Sequence, residues 1–170
     1  MKKILILSLF LLCVFLTACT STDRDEASFS NVKDAIEHVI NVEEQHKNDI
    51  EVVKSHTLTE DIEVVFFTNG KTLSTYAALA NDRGEIKIDR LTNDVSPGRI
   101  NSETGYSYMN STITLDNHTI YILIGKCDDQ MKGVTIYNDF FSEDLTVVKG
   151  YFVYISETEI RTERLNIEIY

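Results

Sequence analysis

Asp61-Ile62-Glu63-Val64-Val65-Phe66-Phe67-Thr68-Asn69-Gly70-Lys71-Thr72 is the stretch on which the fold turns. Its first eight residues are apolar at the centre, rich in β-branched and aromatic side chains, and bounded by turn formers. That pattern reads as a strand. Asn69-Gly70 is a strong two-residue hairpin signal of type I′, because both central positions of that turn need a positive φ. The chain should therefore fold straight back into a second strand over Thr72–Ala80. The alanines there also allow a helix, but Asn81-Asp82-Arg83-Gly84 reads as a turn into an alternating run, and strand is favoured.

The pattern extends both ways from this hairpin. Ile50–His56 reads as a strand before it. Glu85–Leu91 reads as a strand after it, with Ile86 and Ile88 on one face and Lys87 and Asp89 on the other. Upstream, over 31–46, the period becomes helical: Val32, Ile36, Val39, Ile40 and Glu43 share one narrow face, Ser30 or Asn31 can cap, and Asp34 lies in the first turn. A stripe that narrow suits packing on a sheet. Residues 92–105 hold the single proline, Pro97, followed by Gly98, and read as a linker loop. Beyond it the reading is all strand: Tyr106–Leu115, His118–Gly125, Gly133–Tyr137, Leu145–Val148, Tyr151–Ser156 and Arg164–Tyr170, with Asp116-Asn117 as a turn. The expected class is α+β. A helix with antiparallel strands occupies 31–91, packed helix on sheet, and a β-sandwich-like all-β unit occupies 106–170.

The first thirty residues have a different character. Lys2 and Lys3 precede an almost wholly apolar run, Ile4–Leu16. Its length suits the apolar core of an export signal, about 7–15 residues. It is short of the roughly 20 needed to span a bilayer. Leu16-Thr17-Ala18-Cys19 resembles the lipobox of bacterial lipoproteins. The resemblance implies cleavage of residues 1–18, diacylglycerol on the Cys19 thiol, and a chain held by its lipid on the outer face of the cell membrane. Two acyl chains anchor stably, at about 0.8 kcal/mol per buried CH₂. Thr20–Ser30 is polar and charged, so residues 19–30 read as a tether. A second resemblance lies towards the C-terminus. Tyr121, Gly125-Lys126, Val134, Val147-Val148, Gly150-Tyr151-Phe152 and Ile167-Glu168-Ile169 fall in an order similar to small exported proteins and lipoproteins of low-GC Gram-positive bacteria. The function of that family is generally unassigned.

Charge narrows the partners. The chain holds 16 basic and 27 acidic residues, and loss of Lys2 and Lys3 with the signal makes the balance more negative still. Such a chain is repelled by phosphate backbones, which argues against nucleic acid. Membrane contact is then expected through the lipid on Cys19 alone. Of three cysteines, Cys13 leaves with the signal and Cys19 takes the lipid. Cys127 is left with no partner for an intrachain disulfide.

Catalytic patterns are sparse. His38, His46, His56 and His118 show no metal-ligand spacing, so no metal or cofactor is expected. Cys127 would need a base such as His118 to act as a nucleophile, and the neighbouring Asp128 and Asp129 would raise its pKa. The acidic groups Asp128-Asp129, Asp139 with Glu143-Asp144, and Glu157 with Glu159 match no calcium loop. Gly125-Lys126 lacks the rest of a phosphate loop. Tyr106, Tyr108, Tyr121, Tyr137, Phe140, Phe141, Tyr151, Phe152, Tyr154 and Tyr170 crowd the C-terminal half, chiefly as core. Phe140 and Phe141 lie between Asn138-Asp139 and Ser142-Glu143-Asp144, and are the candidate partner-contact residues. The expectation is a non-catalytic, tethered protein-binding or accessory module. The alternative is a small-ligand-binding lipoprotein serving a transporter or sensor.

Overall fold

Ile120-Tyr121-Ile122-Leu123-Ile124 is apolar on both sides of the strand it forms, and the architecture follows from that. A computed structural model of the chain describes residues 28–43 and 50–170. The expected signal, Cys19, most of the tether and His46 lie outside the described residues.

Ten strands are described: β1 Glu51–Thr59, β2 Ile62–Thr68, β3 Leu73–Ala80, β4 Ile86–Val95, β5 Tyr106–Leu115, β6 His118–Cys127, β7 Gly133–Tyr137, β8 Ser142–Thr146, β9 Tyr151–Ser156 and β10 Asn166–Ile169. They form three antiparallel sheets, β1-β2-β3-β4, β5-β6-β9 and β10-β7-β8. The sheet β5-β6-β9 lies in the middle. Ile120, Ile122 and Ile124 of β6, with Tyr151 and Val153 of β9, pack against Val64, Phe66 and Leu73 of the first sheet. The alternate residues Leu123, Cys127 and Phe152 pack the other way, against Val134, Ile136, Leu145 and Ile167 of the third. Alternation of side chains across a strand thus gives β6 two cores. A hydrogen bond from the Tyr151 hydroxyl to the Lys71 carbonyl, 2.6 Å, ties β9 to the β2–β3 turn.

The α+β expectation is corrected: the described protein is mainly β, and no N-terminal helix forms a layer on the sheet. Of the helix expected over 31–46, the described residues show one short segment, α1, Val32–His38, capped by the Asn31 side chain on the Asp34 amide. It passes at once into a π-turn, Val39–Glu43. Helices shorter than about 12–15 residues are marginal alone, and the β-branched Val32, Val39, Ile40 and Val42 lower helix propensity further. Two side chains from these turns are buried against sheet residues. Ala35 lies with Ala78 and Ile86, and Val39 with Val65, Phe67 and Tyr76.

Two other expectations need amendment. Thr92–Val95 belong to β4, so the loop expected over 92–105 is confined to 96–105. The strands on either side of it share one core. The β2–β3 hairpin forms, but its loop has four residues, since Thr68 pairs with Leu73. Gly70 alone has positive φ, and Asn69 Oδ1 accepts from the amides of Lys71 and Thr72. The two-residue turn with both φ positive occurs at Asp116-Asn117, between Leu115 and His118.

Candidate functional site

Asn138-Asp139-Phe140-Phe141 is the turn between β7 and β8, and one side chain organises it. Asn138 Oδ1 accepts from the amides of Phe140 at 2.8 Å and Phe141 at 3.2 Å. The Asn138 amide donates to the Phe141 carbonyl at 2.9 Å, closing the loop. Asn138 Nδ2 then reaches across to donate to the Arg161 carbonyl at 2.9 Å. The turn is thereby fastened to the segment that joins β9 to β10. Arg164 pairs with Asp139 at 3.3 Å on the same rim, with both side chains in solvent.

The two phenylalanines are divided by this turn. Phe141 is partly buried and stacks on Tyr154 of β9, ring centroids 5.1 Å apart and planes within 8°. Phe140 points outward and is 70% exposed. The Arg161 guanidinium sits 4.9 Å from the centre of the Phe140 ring, a cation–π contact. No carboxylate pairs with Arg161 among the described residues. Between these side chains runs an open groove of about 360 Å³, lined by Phe140, Phe141, Tyr154, Ser156, Ile160 and Arg161. The Ser156 and Thr158 hydroxyls lie 3.1 Å apart at its end. Burial pushes the Tyr154 phenol above its usual range, and the Glu143 carboxylate adds to this, while a hydrogen bond with Ser156 opposes it. The groove therefore offers a neutral phenol, two rings, two hydroxyls and one cation. That set is suited to stacking, hydrogen bonding and charge pairing.

The other residues singled out from the sequence do not gather here. His38 rests against the Phe29 ring at 4.9 Å. His56 lies on β1, and His118 opens β6 beside a turn. Cys127 closes β6, nine positions from His118 and hence about 30 Å away along the strand. The nucleophile–base pair weighed from the sequence is not assembled. Cys127 is 2% exposed, and burial, with Asp128 beside it, pushes its thiol up to about 11. Asp128 Oδ1 accepts from the Gln130 amide within its own turn, and Asp144 accepts from the Thr135 hydroxyl at 2.6 Å. Among the described residues no three His, Cys, Asp or Glu side chains come together as a metal site. Lys126 Nζ lies 5.0 Å from the Tyr151 ring centre, and Gly125 is the slot into which the Phe152 ring fits.

Sequence reasoning missed Arg161, Tyr154 and Asn138 as members of the Phe140 site. Arg161 stands among Glu157, Glu159 and Glu163, where it reads as one charge in a solvated run. Only the fold brings it over a ring twenty-one positions earlier. No family model, curated protein or solved structure matches the chain.

Proposed function

We propose that the chain is a lipid-anchored, extracytoplasmic binding module that contacts a partner protein through Phe140 and Arg161. The anchor comes from the lipobox-like Leu16-Thr17-Ala18-Cys19 behind its apolar run. Among the described residues no helix is long and apolar enough to cross a membrane. The contact reading is carried by one observation. A phenylalanine 70% exposed at the tip of a tightly bonded turn holds an arginine against its ring. Aromatic side chains and arginine dominate binding energy at interfaces, where an apolar centre sits inside a polar rim. Asn138 fixes the turn in advance, so little ordering is needed on binding. The carboxylates of Asp139, Glu143 and Glu159 supply the rim.

A second reading has its own support. The groove, about 360 Å³, falls at the lower end of the roughly 300–1,000 Å³ of small-molecule sites. One experiment separates the readings. A photoactivatable side chain replaces Phe140 in intact cells, with the same group at exposed Thr57 as control. The protein-contact reading predicts an adduct of defined mass from position 140 alone. Adduct absent at both positions would favour the small ligand. Metabolic labelling with a fatty acid tests the anchor: the wild type takes up label and Cys19→Ala does not. Label on the alanine variant would end that part of the reading.

A further inference from the structure

The middle sheet is covered on one face by the first sheet, and on the other the third sheet covers it only in part. Side chains that alternate along paired strands fall on common faces. On the side of β6 that carries Leu123 and Cys127, cross-strand pairing sets out four rows: Tyr108–Gly125–Phe152, Asn110–Leu123–Tyr154, Thr112–Tyr121–Ser156 and Thr114–Thr119. Leu123 and Phe152 are buried against the third sheet, and Tyr154 lies under the Phe141 ring. Tyr108, Asn110, Thr112 and Thr114 are exposed, and Thr119, Tyr121 and Ser156 are half-buried. The Tyr106 and Tyr108 rings, 6.4 Å apart, and the Thr114 and Thr119 hydroxyls, 3.2 Å apart, lie together on this face.

A quarter of the chain is charged, yet no charged residue stands in these rows. No aliphatic side chain is exposed in them either. They present two phenols, one amide and a series of alcohols. From Tyr108 to Thr114 the face runs about 20 Å along β5.

We infer that this open face binds a neutral, extended polysaccharide, its chain lying along β5 with sugar rings against Tyr108 and Tyr121. The chemistry selects the occupant. An anionic glycan or a nucleic acid would need cations here, and the net charge of −11 repels it. A cationic partner would need carboxylates, which the rows lack. A protein partner or an acyl chain would need an apolar centre, and the only large apolar group exposed in the rows is the amphipathic ring of Tyr108. A neutral sugar polymer needs none of these. Its hydroxyls both donate and accept, and so do the phenols and alcohols, while the Asn110 amide offers a donor and an acceptor side by side. The aromatic rings take the C–H faces of the sugars. An open face gives a single sugar few contacts and a polymer several. The site uses neither Phe140 nor Arg161, so it stands whether or not those residues contact a protein.

The test is isothermal titration calorimetry of the full chain, in a mild detergent whose headgroup is not a sugar. Cellohexaose and chitohexaose are the neutral probes, and hexagalacturonate is the anionic one. At least one neutral probe should bind, equally well at about 0.05 M and about 0.5 M salt, because no charge pairing is involved. Hexagalacturonate should not bind. Asn110→Ala and Tyr121→Phe each remove hydrogen-bonding groups and keep the sheet, and each should weaken binding about fivefold or more. Thr57→Ala, at an exposed position of β1, should leave it unchanged. Thermal melts verify that each variant is folded. Failure of both neutral probes to bind would overturn the inference. So would tighter binding of hexagalacturonate, or neutral binding indifferent to the Asn110 and Tyr121 substitutions.

Discussion

Cys127 shows how much a single buried side chain decides. In solution its thiol would titrate near 9.0, and in the fold it is raised to about 11 because burial, then Asp128, disfavours the thiolate. The unfolded chain therefore loses this proton before the folded one does. Stability from this group is complete below about pH 9 and is lost as the pH climbs through 11. Alkaline melting curves should show that loss in the wild type and a smaller one in Cys127→Ala, with thiol labelling at neutral pH slow until denaturant is added. A thiol that reacts within seconds in native buffer would contradict this burial. Phe141 is the companion case. Its stack on Tyr154 puts the expected cost of Phe141→Ala at about 2–3 kcal/mol, below the ~3–5 of a fully buried phenylalanine.

Strand β6 carries the argument at the scale of the element. Gly125 pairs with Phe152, and a Cβ at Gly125 would overlap that ring. Gly125→Ala should cost about 3 kcal/mol or more, read as a fall in melting temperature, and Phe152→Leu in the same chain should restore part of it. Equal loss in the single and double variants would mean that the glycine serves some other purpose. The strands were legible where the sequence alternates or runs apolar: Val64–Phe67, Ile86–Ile88 and Ile120–Ile124 all stand where expected. Strand β8 begins at Ser142, three residues before the expected Leu145–Val148. Ser142-Glu143-Asp144 reads as loop by composition, yet these residues pair with Tyr137, Ile136 and Thr135 at a sheet edge, where only Leu145 needs burial. The helix was overread because a narrow apolar stripe shows which face could be buried and says nothing of where the turns end. The Phe140 site was half legible. Polar neighbours marked an exposed ring, but its arginine arrives through the β9–β10 segment, which no local pattern reports.

The whole molecule is a stack in which the middle sheet is common to two cores, so the exposed loop before β5 is a connection within one structure. Within residues 50–170 trypsin should cut first at Arg99, in the exposed run Gly98–Thr104, and the two fragments should stay associated, because Val64, Phe66 and Leu73 share a core with Ile120, Ile122 and Val153 across the cut. Fragments that separate without denaturant would show two independent units. Within that frame the turn bonded by Asn138 packs Phe141 against the second core and leaves the Phe140 ring exposed. The central claim is that its exposed ring serves contact and not stability. The direct measurement pairs chemical crosslinking of the partner in intact cells with thermal melting for Phe140→Ala and Arg161→Ala. Both variants should lose most of the crosslinked adduct while stability stays within about 0.5 kcal/mol of the wild type, as surface substitutions do. An undiminished adduct, or a melting temperature that falls sharply on loss of Phe140, would contradict the account.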